Sequence, residues 1–126
     1  MKIVKYITMK IENVFIKNIN CEITFYIGQN KLENFEILDM EEIDENDLWF
    51  HAKEESSCHV IAKIPTHITN KNKKYIIKIG AVLCKNNTNK LKNIQKLHII
   101  YTQIRYVEKT NIIGCVNITN EKYIII

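Results

Sequence analysis

The sequence predicts an α+β fold: a single domain over residues 1–126, built on a mainly antiparallel sheet with two helices. Three observations predict it. Several short stretches alternate polar and apolar residues, as half-buried strands do, and two others repeat apolar residues at helical spacing. No internal repeat, heptad pattern or glycine-rich phosphate loop organises the chain in another way.

In chain order, Lys2–Met9 alternates and predicts a first strand. Glu12–Lys17 carries Val14 and Ile16 in phase and predicts a second, weaker one. Glu22–Gly28 puts Ile23, Phe25 and Ile27 on one side of a third. Asn30 is placed to cap a helix with Glu33 three residues on, a capping-box spacing; Leu32, Phe35 and Leu38 then define a helix over Lys31–Met40. The acidic run Glu41–Asp47 reads as a loop, and Leu48–His51 and His59–Ile64 as two strands joined by a polar turn over Lys53–Ser57. Pro65 closes the second of these. Lys71–Lys85 predicts the second helix, with Tyr75, Ile76, Ile79, Val82 and Leu83 on one stripe. Gly80 interrupts it at about 1 kcal/mol relative to alanine, which implies close packing there. Four short apolar segments follow, Leu97–Tyr101, Arg105–Val107, Cys115–Ile118 and Tyr123–Ile126, punctuated by Gly114 and Asn120-Glu121.

Composition narrows the function classes. No run approaches a membrane span, and Met1–Tyr6 alternates where a signal peptide would have an apolar block, so the expectation is a cytoplasmic protein without membrane association. Cys21, Cys58, Cys84 and Cys115 lie 37, 26 and 31 residues apart, without the paired spacing of a zinc site; they read as small buried hydrophobes. The net charge of +4 hides an asymmetry. Residues 1–63 carry 7 lysines against 12 carboxylates, concentrated in Asp39–Asp47, whereas residues 64–126 carry 10 lysines and Arg105 against Glu108 and Glu121 alone. A basic half of this kind suits a polyanion, whose phosphates supply affinity that is independent of sequence. An ordinary solvated lysine face has the same composition.

The most distinctive stretch is Asp47-Leu48-Trp49-Phe50-His51-Ala52-Lys53, followed by Ser56-Ser57-Cys58-His59-Val60. It resembles the NFACT-R family, whose mark is an Asp-(Ile/Leu)-Trp-Phe-His strand followed closely by Ser-x-His-Val. Further matches fall in the same order: Gly28-Gln29-Asn30 with Asn34, Ala81–Lys85 within the long helix, and Tyr101-Thr102 with Arg105, Val107 and Lys109. The likeness runs from about residue 23 to the end, and its spacing is nearest the short eukaryotic coiled-coil member. Gln29, Phe35 and the missing Lys-Pro-x-Gly loop after Lys109 depart from the pattern. The resemblance implies a non-enzymatic domain that binds RNA, tRNA or rRNA above all, with DNA and ribosome-associated factors as further partners. It implies no cofactor. Its candidate binding residues are Asn30, Asn34, Asp47, Trp49, His51, Ser57, His59, Tyr101, Arg105 and Lys109.

The residues themselves sharpen this expectation. Trp49 and His51 share one face of a strand and Phe50 the other. With Phe50 in the core, Trp49 and His51 are free for base stacking and phosphate contact; with Trp49 in the core, His51 is buried beside it. His51 and His59 face each other across the hairpin, with Asp47 a candidate to orient one of them. Lys74, Lys78 and Lys85 share the polar face of the second helix. Arg105 and Lys109, at even spacing, point the same way on a strand, joined by Tyr101 if that strand is unbroken. Lys53 and Lys85 complete the expected phosphate-tracking surface beside the Trp–His hairpin. The competing function is a protein adaptor whose acidic Asp39–Asp47 segment docks a basic partner such as a ribosomal protein. Catalysis has little support: Cys58 and His59 are adjacent on a strand and so point apart, and two histidines with one aspartate make a poor metal set. Oligomeric state is open.

Overall fold

Alternation is realised as a six-stranded antiparallel sheet in the order β1-β2-β4-β3-β5-β8, in a computed structural model that describes residues 9–126. The strands are β1 (Lys10–Ile16), β2 (Cys21–Gly28), β3 (Leu48–Ala52), β4 (His59–Ala62), β5 (His98–Gln103) and β8 (Lys122–Ile125). A separate two-stranded ribbon joins β6 (Val107–Lys109) to β7 (Val116–Ile118). The strand expected over Lys2–Met9 lies outside the described residues except for its last position. The helices are α1 (Lys31–Leu38) and α2 (Lys73–Asn86). Among the described residues no helix is long and apolar enough to cross a membrane.

The central strands of the sheet are covered on both faces, and this decides the site. On one face α2 packs Ile76, Ala81 and Cys84 onto Phe25, Phe50, Val60 and Ile99. On the other, Trp49, Tyr26 and Ile61 pack with Ile37 of α1 and with Val107, Val116 and Ile118 of the ribbon. Register fixes the rows. Phe50 pairs with Tyr101, and Tyr101 with Lys122, on the α2 face; His51 pairs with Ile100, and Ile100 with Tyr123, on the α1 face.

The helices differ from their expected stripes for identifiable reasons. The buried line of α2 runs through Ile76, Gly80, Ala81 and Cys84, whereas Tyr75, Ile79 and Val82 are only half-buried. Gly80 sits against the ring of Phe50, so closely that a Cβ there would lie 2.4 Å from Cζ. In α1 the buried residues are Glu33, Asn34 and Ile37, and Leu32 is exposed. The capping box explains the rotation. The Asn30 Oδ1 accepts from the Glu33 amide at 2.8 Å while the Glu33 carboxylate accepts from the Gln29 amide at 3.0 Å, which turns Glu33 inward.

Candidate nucleic-acid interface

The β3–β4 hairpin builds the floor of the site. Lys53–Ser57 makes the turn, and the Ser57 hydroxyl closes it by accepting from the Ala52 amide at 3.0 Å and donating to the Cys58 carbonyl at 2.9 Å. Trp49, His51 and His59 then fall on one face. The Trp49 and His51 rings are parallel with centroids 5.7 Å apart, and the His59 ring stands edge-on to both, at 5.1 Å from Trp49 and 4.9 Å from His51. Asn34 of α1 reaches over from above and its Oδ1 accepts the His59 amide at 3.2 Å. Gly28 permits that approach, since a Cβ there would lie 2.5 Å from this same oxygen.

Protonation states follow from the geometry. Trp49 Nε1 donates to His59 Nδ1 at 3.2 Å, so the neutral ring carries its proton on Nε2. Burial holds the His59 pKa down to about 3, helped by the neighbouring His51 imidazole. Burial also lowers that of His51, against an opposing backbone hydrogen bond at Ala52. Both rings are therefore uncharged at neutral pH. The His59 Nε2–H finds no acceptor among the described residues, and neither does the Asn34 amide NH₂. These groups line a cleft of about 430 Å³ between the hairpin, α1 and the β6–β7 loop, with Ser57, Gly114 and Cys115 also in its wall.

Five of the expected site residues thus come together: Asn34, Trp49, His51, Ser57 and His59. Trp49, however, is only 2% exposed; it is the wall behind the two histidines and offers no face to a base. Lys53 follows β3 directly and lies outside that lining, its ammonium 5.6 Å from the centre of the Tyr123 ring. Tyr123, 58% exposed, stacks at a tilt on His98 with centroids 5.2 Å apart. Tyr123 and His98 escaped sequence reasoning, because only the β3–β5–β8 register sets them on the same face as His51.

The remaining expected residues lie elsewhere. Asn30 is occupied as the α1 cap. Asp47 is fully buried: it accepts from the amides of Ile64 at 2.8 Å and Asp44 at 2.7 Å and pairs with Lys63 at 3.1 Å, so it fixes the acidic loop and orients neither histidine. Tyr101 and Lys85 belong to the α2 side of the sheet. Arg105 is not on a strand. A 3₁₀ turn over Ile104–Tyr106 breaks the chain between β5 and β6, because the Ile104 and Arg105 amides donate to the Asp47 and Glu45 carbonyls at 2.9 and 3.2 Å. The Arg105 guanidinium donates to Asn46, and Lys109 pairs with Asp39 while lying 5.1 Å from the Phe35 ring centre. Of the expected cations, Lys85 is therefore on the α2 side, whereas Arg105 and Lys109 are paired back onto the acidic segment. These three do not converge on one surface beside the hairpin.

The comparisons with known proteins bear on this arrangement. The family described as the NFACT protein RNA binding domain matches residues 13–120, nearly the whole chain. The chain belongs to the NFACT RNA-binding domain family. No curated protein matches the sequence. Among solved structures, the C-terminal part of the fibronectin/fibrinogen-binding protein of Streptococcus suis superposes with a TM-score of 0.75 at 20% identity. That match covers 100% of this chain and 47% of the other, so this NFACT-R chain spans about half the length of the chain it resembles. At that identity the likeness establishes the fold.

Proposed function

We propose that this NFACT-R chain is a non-enzymatic module that binds structured RNA, such as tRNA or rRNA, by taking one unpaired nucleotide into the cleft over His51 and His59. Membership of an RNA-binding family supports the ligand class. The observation that carries the surface is the row His51–Ile100–Tyr123, flanked by Lys53 and His98: His51 and Ile100 line a cleft with neutral donors at its base and Glu54 and Glu55 in its wall, and Tyr123 presents an exposed ring one strand beyond. RNA is read mostly at unstacked bases, which stack on aromatic rings and bond through their edges. Tyr123 and His98 supply the stacking face and Lys53 the phosphate contact. The His59 Nε2–H and the Asn34 amide suit a carbonyl or ring-nitrogen acceptor on the base edge.

The adaptor reading is weaker, because part of the charge in the acidic segment is already taken up: Asp39 by Lys109, and Asp44 and Asp47 by Lys63. The test is fluorescence anisotropy with labelled tRNA, a fully paired RNA hairpin stem and DNA over a range of salt. A Lys53→Ala/Tyr123→Ala chain should bind tRNA about tenfold or more weakly, since stacking on an aromatic ring contributes roughly 1–3 kcal/mol per base. Equal affinity of this chain and the wild type would refute the proposed surface.

A further inference from the structure

A second cleft, of about 450 Å³, lies on the opposite side of the sheet, between the start of α2 and strands β5 and β8. Its polar lining residues are Lys73, Lys122, Tyr101, Tyr106 and Thr102 together with Asn70, Gln103 and Asn120. No carboxylate lines it, and among the described residues neither lysine has an acidic partner. The first turn of α2 also has no acid. Two unneutralised ammoniums beside several amide and phenol donors form an environment for an oxyanion with many acceptor atoms.

We infer that this cleft binds a phosphate group, and that its source is the same RNA strand whose base occupies the His51 cleft. The link is strand β8. Lys122 and Tyr123 are consecutive there, so their side chains leave opposite faces. Lys122 continues the Phe50–Tyr101 row toward the second cleft, and Tyr123 continues the His51–Ile100 row toward the first. Among the described residues β8 is an edge strand paired with β5 alone. A single strand of RNA passing round that edge sets a phosphate against Lys73 and Lys122 on one side and a base on Tyr123 on the other. The inference rests on the RNA reading for the source of the phosphate, although the anion site itself stands on its own lining.

The experiment is an NMR titration of the full chain with inorganic phosphate, with uridine monophosphate and with a short single-stranded oligoribonucleotide, alongside the salt dependence of oligonucleotide affinity. The oligonucleotide is expected to shift the amides of Lys73, Tyr101 and Lys122 together with those of Lys53 and Tyr123. In a Lys73→Gln/Lys122→Gln chain the first set stays still, the second still moves, and the slope of log affinity against log salt falls by about 0.7, the value for one neutralised phosphate on a single strand. If phosphate and the mononucleotide shift Lys73, Tyr101 and Lys122 but the oligonucleotide does not bind, the phosphate site stands and the RNA reading fails. If no phosphate-bearing probe moves these amides, the inference is overturned; continued movement of Tyr123 with the oligonucleotide then leaves the RNA reading intact.

Discussion

The indole N–H of Trp49 donates to Nδ1 of His59 at 3.2 Å, and this one bond fixes which edge of the histidine faces the cleft. Replacing Trp49 by phenylalanine keeps most of the apolar volume and removes the donor. His59 Nδ1 is then left buried without a partner, at a cost of about 1–3 kcal/mol. Urea unfolding of Trp49→Phe should show that loss, and RNA affinity should fall as well because the His59 tautomer is no longer imposed.

The depressed pKa of His59, about 3, makes a prediction about acid. The unfolded chain takes up a proton on this ring near the ordinary value of about 6.5, while the folded chain does not until far lower. The stability contributed by the neutral ring is therefore complete above about pH 6.5 and is lost as pH falls toward 3. The loss approaches about 1.4 kcal/mol per pH unit, or about 2 kcal/mol by pH 5. His51 acts in the same direction. Carboxylates also weaken the fold in acid, so the informative quantity is the difference between wild type and His59→Gln: denaturation midpoints should converge as pH falls from about 7.5 to about 5.

Gly80 and Phe50 are packed without room for a methyl group. Gly80→Ala gains about 1 kcal/mol of helix propensity but forces the Phe50 ring to move, and overpacking of this kind costs roughly 1–3 kcal/mol. Chemical denaturation should find the variant destabilised or at best neutral, and a Phe50→Leu change in the same chain should recover part of the loss.

Arg105 and Lys109 reach back to Asn46 and Asp39. A chain with Arg105→Ala and Lys109→Ala should therefore lose less than about twofold in tRNA affinity, in contrast to the Lys53/Tyr123 pair, since rim charges already paired contribute little. Anisotropy measured on both double variants at one salt concentration decides this.

Asp47 offers the matching contrast between stability and binding. Asp47→Ala leaves the Ile64 amide buried without an acceptor and deprives Lys63 of its buried partner, which costs about 3 kcal/mol. Thermal unfolding should show a large drop, while RNA affinity of the remaining folded protein should be unchanged.

Local signals explain what was legible in the sequence. The alternation of β2, β3 and β4 and the capping residues of α1 depend on neighbours within a few positions, and the Trp–Phe–His triplet shows on its face that two side chains oppose a third. Long-range contacts explain what was not. Leu32 looks like a core residue until the capping box turns Glu33 inward. Arg105 looks like a strand residue until Glu45 and Asp47 capture the backbone. Trp49 looks available for stacking until the β6–β7 ribbon and α1 close over it, and Tyr123 acquires a role only through its register with Ile100.

Trp49 is the chain's one tryptophan, and it forms the wall of the proposed nucleotide cleft. The most direct measurement is therefore the NMR signal of its indole N–H, followed together with the His59 ring protons as tRNA is added. Binding at the cleft predicts shifts of both signals that saturate with the anisotropy curve and disappear in Lys53→Ala/Tyr123→Ala at the same RNA concentration. RNA binding that leaves the Trp49 and His59 signals unmoved would contradict the account.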